Sequence, residues 1–381
     1  MDGPTISRRD FEAQRARRFG ASNPERMDLP FWLAMVHGLE EARLRRWERR
    51  EPEGLGYYPT SVRRYFGDED YSNGPIWNFV RMGSTRTPHP DGRLICVAGE
   101  HEDHYDPDFC IYNDVVVLDL DGSIQIFGYP RDVFPPTDFH TASLCGERLI
   151  LIGSLGYPEE RRPGVTPVFA LHLDDYRVEP LPSHGDAPGW IWNHEAELSH
   201  GVVTIRGGEV WSSKGENDPR IWRNFDDFAY EVKTGRWTRL TRRPWRQYKI
   251  RDAGGKKFER GPCFPDCRPA DDEPWKRDDE EAAGPPPDDP ILDVSPDSLR
   301  PTSFRWELLS AWDEQPFDEV VRRGDRLLVE GVPTSINLDL FAIEIVIEGD
   351  MDEALADAIV RDIRENVEEE VGRPCLVEKY D

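Results

Sequence analysis

The sequence predicts a mainly β fold, a small or incomplete β-propeller of about four or five blades, flanked by an N-terminal helical cover and a small C-terminal α/β module. Three observations carry that prediction. The segments "DGRLICVAGE" (91–100), "GERLILIGSL" (146–155) and "HGVVTIRGGE" (200–209) share one plan: a turn, an apolar or alternating strand, then a glycine. Their closing glycines Gly99, Gly153 and Gly207 stand 54 residues apart, twice. Each unit then continues through a polar loop into a third strand (VVVLDL 115–120, PVFALHL 167–173, DFAYEV 227–232) and a fourth (SIQIFGY 123–129, RVEPL 177–181, RWTRL 236–240). A first strand precedes each unit (STRTPHP, HTASLC, HEAELS), which gives four short strands per repeat with turn residues at the joints.

Residues 1–66 read as the helical cover. Helices are expected over 7–19 and 29–50, the first with Ser7 as N-cap, Asp10 three positions on and Gly20 as its stop. In the second, Phe31, Met35 and Leu39 with Trp32, Val36 and Trp47 form one apolar face, suited to packing on the blades. Residues 76–250 hold the blades, with apolar "IWNFVRM" (76–82) ahead of the first repeat. Residues 252–300 read as an acidic, proline-rich linker expected to be disordered: positions 261–290 contain eight prolines and ten acids. Cys263-x3-Cys267 inside it has no second pair to complete a metal site. Further strands are expected over 301–349, where "RRGDRLLVEG" (322–331) echoes "GERLILIG" and offers an extra blade. The tail, 338–381, reads as a ββαβ module. "LDLFAIEIVIEG" is its strand and Asp350 with Glu353 starts a helix carrying Leu355, Ile359, Ile363 and Val367. Gly372 and Pro374 stop that helix, and "CLVEKY" returns as a strand.

The third repeat resembles the kelch family. Gly207-Gly208 ends its second strand, and Tyr230 and Trp237 are spaced as in kelch blades. The first two repeats show Gly-Glu and Gly-Ser instead and lack the tryptophan. The resemblance covers residues 80–241, and "YPRDVFPPTDFHTASL" (129–144) is similar to bacterial kelch-type proteins of unassigned role. It implies a propeller, and a function drawn from a range that includes adaptors, oxidases and lyase-like proteins. Three units do not close a ring. Either further strands complete it or the propeller is open, with its exposed edges covered by helices.

Charge narrows the partners. The 381 residues carry a formal net charge of −26, which opposes binding to nucleic acid or to anionic membranes and suits a protein partner with a basic surface. Residues 1–66 hold 13 arginines against 10 acids, so the rest of the chain is the acidic part. No apolar run approaches the ~20 residues of a membrane span. The N-terminus has no hydrophobic signal core, and the six cysteines are scattered, so a cytoplasmic protein with reduced thiols is expected.

One stretch stands out chemically. Between Gly99 and Phe109 lie Glu100, His101, Glu102, Asp103, His104, Asp106 and Asp108. In an antiparallel four-stranded blade, the second-to-third connection emerges at the same end as the lead-in to each first strand. Glu100, His101 and His104 should therefore approach Asp138, His140, His194 and Glu195. These nitrogen and oxygen donors suit a divalent metal, Fe(II), Mn(II) or Zn(II). The competing expectations are a solvated acidic loop and histidines that bond neighbouring blades. Glu102, Asp103, Asp106 and Asp108, with Trp190 and Trp192, form the candidate partner-binding set. No nucleotide-binding glycine motif and no Gly-x-Ser-x-Gly elbow is present. The leading expectation is a protein-binding adaptor or inhibitor, toxin-neutralising or defence-associated, acting through an acidic face. The alternative is a metal-dependent lyase or oxidoreductase at the channel mouth.

Overall fold

The computed structural model describes residues 6–38, 75–101, 109–212, 221–242, 244–256, 258, 306–308, 324–338 and 342–380. The chain divides into two compact units, Met1–Arg242 and Arg243–Asp381. Among the described residues no helix is long and apolar enough to cross a membrane.

The first unit contains three antiparallel sheets, each with its four main strands in chain order. The first sheet runs Thr85–Pro88, Leu94–His101, Cys110–Leu118, Ile124–Gly128. The second runs Thr141–Cys145, Arg148–Ile152, Val168–His172, Val178–Pro180. The third runs Glu195–Ser199, Val202–Arg206, Phe228–Glu231, Arg236–Arg239. Short strands extend two of them: Glu25–Arg26 pairs antiparallel with Ile124–Gly128, and His184–Gly185 pairs parallel with Arg236–Arg239. Trp190–Trp192, Glu209–Trp211 and Ile221–Arg223 form a small separate sheet.

The sheets stack face to face because alternate residues of each strand are apolar on opposite sides. Val97, Val115 and Val117 of the first sheet share a core with Leu149, Leu151 and Leu171 of the second. Ile150, Ile152 and Ala170 of the second share another with Val203, Ile205, Tyr230 and Trp237 of the third. The two ends of this stack differ. On the first sheet Cys96, Tyr112 and Val116 pack against Phe11, Phe31, Trp32, Met35, Val36 and Trp77, and the Trp32 and Trp77 rings stack at 4.7 Å. Burying each such side chain stabilises by roughly 2 kcal/mol or more. The outer face of the third sheet carries exposed Glu195, Glu197, Ser199, Arg206, Glu231 and Arg236. That face needs no cover, and among the described strands no further sheet of this kind follows.

The N-terminal helix is Arg8–Gln14, with Ser7 as N-cap accepting from the Asp10 amide. It stops well short of Gly20. The chain leaves the helix to pair with residues 76–77: Trp77 N donates to Arg15 O, and Ala16 bridges Ile76. Gly20 instead lets two backbones touch, since a Cβ there would lie 2.4 Å from Gly128 O. Residues 30–38 are helical and bury Phe31, Trp32, Met35 and Val36, while Leu39 and Trp47 lie outside the described residues.

The second unit is one six-stranded antiparallel sheet in the order Trp306–Leu308, Gly324–Val329, Val332–Leu338, Ile343–Glu348, Trp245–Asp252, Cys375–Lys379. The helix Glu353–Val371 lays Ala356, Ile359, Val360, Ile363 and Val367 on Tyr248, Ile250, Ile336, Ile343, Ile345 and Ile347. Gly324–Val329, expected as an extra blade, belongs to this sheet, where the left-handed pair Glu330-Gly331 turns it onto Val332–Leu338. Trp245–Asp252, expected at the end of the blades, also lies here. The expected strand 338–349 is divided, with Leu338 ending one strand and Ile343 opening the next. The helix N-cap is Asp352, whose side chain accepts from Leu355 N, and not Asp350. Gly372 ends the helix at φ 64°. Positions 259–305, with Cys263 and Cys267, lie outside the described residues.

Candidate functional site

Three repeat-equivalent lead-ins converge on one end of the stack. Gly83, Phe139 and Asn193 all adopt left-handed backbone, with φ of 61°, 47° and 54°. Phe139 N donates to Gly83 O at 2.8 Å and Asn193 N to Phe139 O at 2.9 Å, so each sheet hangs its first strand on the one before. The next residues are Ser84, His140 and His194, followed by Thr85, Thr141 and Glu195. His140 Nε2 bonds Thr85 Oγ1 at 3.0 Å, and His194 Nε2 bonds Thr141 Oγ1 at 2.9 Å. Each histidine thus spans one seam between sheets.

Both rings are buried, and burial holds both neutral. It pushes His140 down to about 3, with the nearby His194 adding to the effect, and His194 down to about 4. Among the described residues the Nδ1 atom of each ring has no hydrogen-bond partner. Through Nε2, His140 and His194 each hold one seam between sheets. Among the described residues no three His, Cys, Asp or Glu side chains form a group that could hold a metal ion. Glu195 is exposed on the third sheet and bonds neither histidine.

A different pair comes together instead. Asp138 is fully buried and ties several segments: its Oδ1 accepts from Gly156 N at 2.6 Å and Ser154 Oγ at 3.2 Å, and its main-chain O accepts from Leu155 N at 3.2 Å. Its carboxyl also meets that of Glu100, itself only 8% exposed. Glu100 reaches that side of the strand through a bulge. Register slips between Val97 and Gly99, with Ala98 at φ 50° and Gly99 at φ 96°. The extra residue pairs Glu100 with Ile111, so it faces the same side as Val97 and Val115, toward the second sheet. An unbroken strand would have aimed it the other way. Arg161 closes the group, donating to Leu155 O at 2.9 Å and Gly156 O at 3.0 Å. Burial pushes the Asp138 carboxyl above its ordinary value, against the opposing hydrogen bonds from Gly156, Glu100 and Ser154 and the charge of Arg161.

Glu102, Asp103, His104, Asp106 and Asp108 lie outside the described residues, while His101 is half-buried at the end of its strand. Trp190 and Trp192 are buried, and Trp190 Nε1 donates to Leu155 O at 3.1 Å. Trp190 thereby braces the loop around Asp138. Sequence reading missed Ser154, Gly156 and Arg161 as partners of Asp138. Ser154 directly follows a closing glycine, a position the repeat marks, whereas Arg161 sits in a variable loop with no pattern to mark it.

No family model and no curated protein matches the chain. Among solved structures it is similar to one titled "Structure of YjhT", at 12% sequence identity and a TM-score of 0.32, over 42% of this chain and 52% of that one. The match therefore spans about half the length of that chain.

Proposed function

We propose that the chain is a protein-binding scaffold of kelch type, in which three blades stack as an open propeller and an acidic end recruits or inhibits a partner with a basic surface. The carrying observation is charge: residues 101–200, which hold most of the first two sheets and their connections, contain 18 acids against 5 basic residues. The hydrogen-bonding of His140 and His194 supports binding over metal chemistry, since their Nε2 atoms are committed to threonines. The blade reading draws support from the 54-residue repeat and from Tyr230 and Trp237, cross-strand neighbours with ring centroids 4.9 Å apart.

Exposed charges act over about 8 Å at physiological ionic strength. A partner held by the acidic end should therefore lose affinity by about tenfold or more from low to high salt. The test is isolation of the partner from the source cells, then its dissociation constant across a salt series with the unmutated chain and with Glu102→Lys/Asp103→Lys/Asp106→Lys. Weakening in the variant together with a steep salt dependence is expected. An affinity indifferent to both would overturn the acidic-face reading.

A further inference from the structure

We propose that Glu100 and Asp138 hold one proton between them and form an acid-stabilised clasp, tying the end of the strand Leu94–His101 to the connections 135–140 and 153–156. The inference starts from donor counting. An ionised carboxylate only accepts hydrogen bonds. Asp138 Oδ1 has its donors in Gly156 N and Ser154 Oγ, but Asp138 Oδ2 is buried and meets no N–H or O–H donor among the described residues. The same carboxyl group contacts the carboxyl of Glu100. Two carboxylates in contact repel, whereas a carboxylic acid beside a carboxylate makes a short, charge-assisted hydrogen bond.

Among the described residues the charged groups facing Asp138 are Glu100, from the first sheet, and Arg161, from the connection after Ile152. Ser154 and Gly156 are uncharged, and His140, two residues on, is held neutral by burial. The hydrogen bonds from Gly156, Glu100 and Ser154 and the charge of Arg161 favour the ionised form of Asp138, yet burial outweighs them and raises the carboxyl. The sign follows. An acid whose folded pKa is raised binds its proton more tightly in the native state. Its contribution to stability is greatest below the ordinary carboxylate value of about 3.9 and is lost as pH rises through the raised value.

The isosteric amide separates this clasp from a merely packed carboxylate. In Asp138→Asn the amide oxygen keeps the acceptance from Gly156 and Ser154, and the amide NH2 donates to Glu100 without needing a proton. Thermal melts of the unmutated chain, Asp138→Asn and Asp138→Ala between pH 4 and 8 are the experiment. At pH 8 the Asn variant should melt at least as high as the unmutated chain, and its advantage should shrink toward pH 4. The Ala variant should melt lower throughout, by about 3 °C or more. Glu100→Gln should reproduce the Asn result from the other side. An Asn variant as damaged as the Ala variant at pH 8, or a difference that does not change with pH, would overturn the clasp. Should the Asn variant not fold, carboxyl-carbon NMR titration of the unmutated chain decides. A midpoint above about 5 for either carboxyl supports the shared proton, and ordinary midpoints near 4 for both Glu100 and Asp138 exclude it.

Discussion

His140 and His194 show how one residue type repeats for a structural reason. Each spends its Nε2 on the first threonine of the preceding sheet, and each leaves Nδ1 buried without a partner among the described residues. Protonating such a ring means placing charge where nothing compensates it, which is why burial lowers both. The folded values, about 3 and about 4, lie below the ordinary histidine value of about 6.5. The unfolded chain therefore binds more protons across that window. Stability is complete above about pH 6.5 and falls as pH drops toward 4, by on the order of 3 kcal/mol per histidine. Denaturant melts from pH 7 to 4 should show His140→Gln and His194→Gln with a flatter acid limb than the unmutated chain. An acid limb of unchanged slope would remove the histidines from the account. The sequence placed these two residues at equivalent positions because the spacing is regular. It could not say whether they face a metal or a threonine, since Thr85 and Thr141 are distant in sequence.

The strand ends carry the regularity that the sequence made visible. Gly153 sits at φ 81°, and a Cβ there would lie 2.4 Å from Ile191 O, the carbonyl that accepts from Ser154 N. Gly146, in the turn between the first two strands of the same sheet, sits at φ 60° with open space around it. The pair separates two costs. Gly146→Ala should cost only the left-handed penalty, about 1–2 kcal/mol. Gly153→Ala should cost clearly more, because the backbone it strikes anchors the next sheet. Urea denaturation of the two variants checks this, and equal losses would mean the close approach relaxes freely. Glycine spacing, apolar alternation and the Ser7 cap were legible because each is a local rule. The bulge at Ala98 was not, although Gly99 within the apolar run hinted at it, and the bulge decides which side Glu100 faces. The helix that stops at Gln14 and the hairpin through 330–331 were likewise set by partners elsewhere in the chain, Trp77 for the first and Val332–Leu338 for the second.

At the scale of the molecule the chain separates into two compact units, each with apolar cores of its own. The three clusters of the first unit draw on residues up to Trp237, and the cluster of the second begins at Tyr248. Charge is also divided unequally. Residues 1–242 hold 29 basic against 39 acidic residues, and 243–381 hold 19 against 35. The sequence missed this boundary because "RLLVEG" in 326–331 repeats the local pattern of a blade strand, and local pattern does not reveal which sheet a strand will join. The second core contains a six-stranded sheet covered by a 19-residue helix whose N-cap and C-cap both come from its own chain. The helix and the sheet bury their apolar faces against each other. Residues 243–381 expressed alone should therefore give a single cooperative thermal transition and dispersed amide NMR signals. Residues 1–242 expressed alone should do the same. A 243–381 fragment that stays unfolded, or one that folds only when residues 1–242 are added, would show that the two cores are one folding unit.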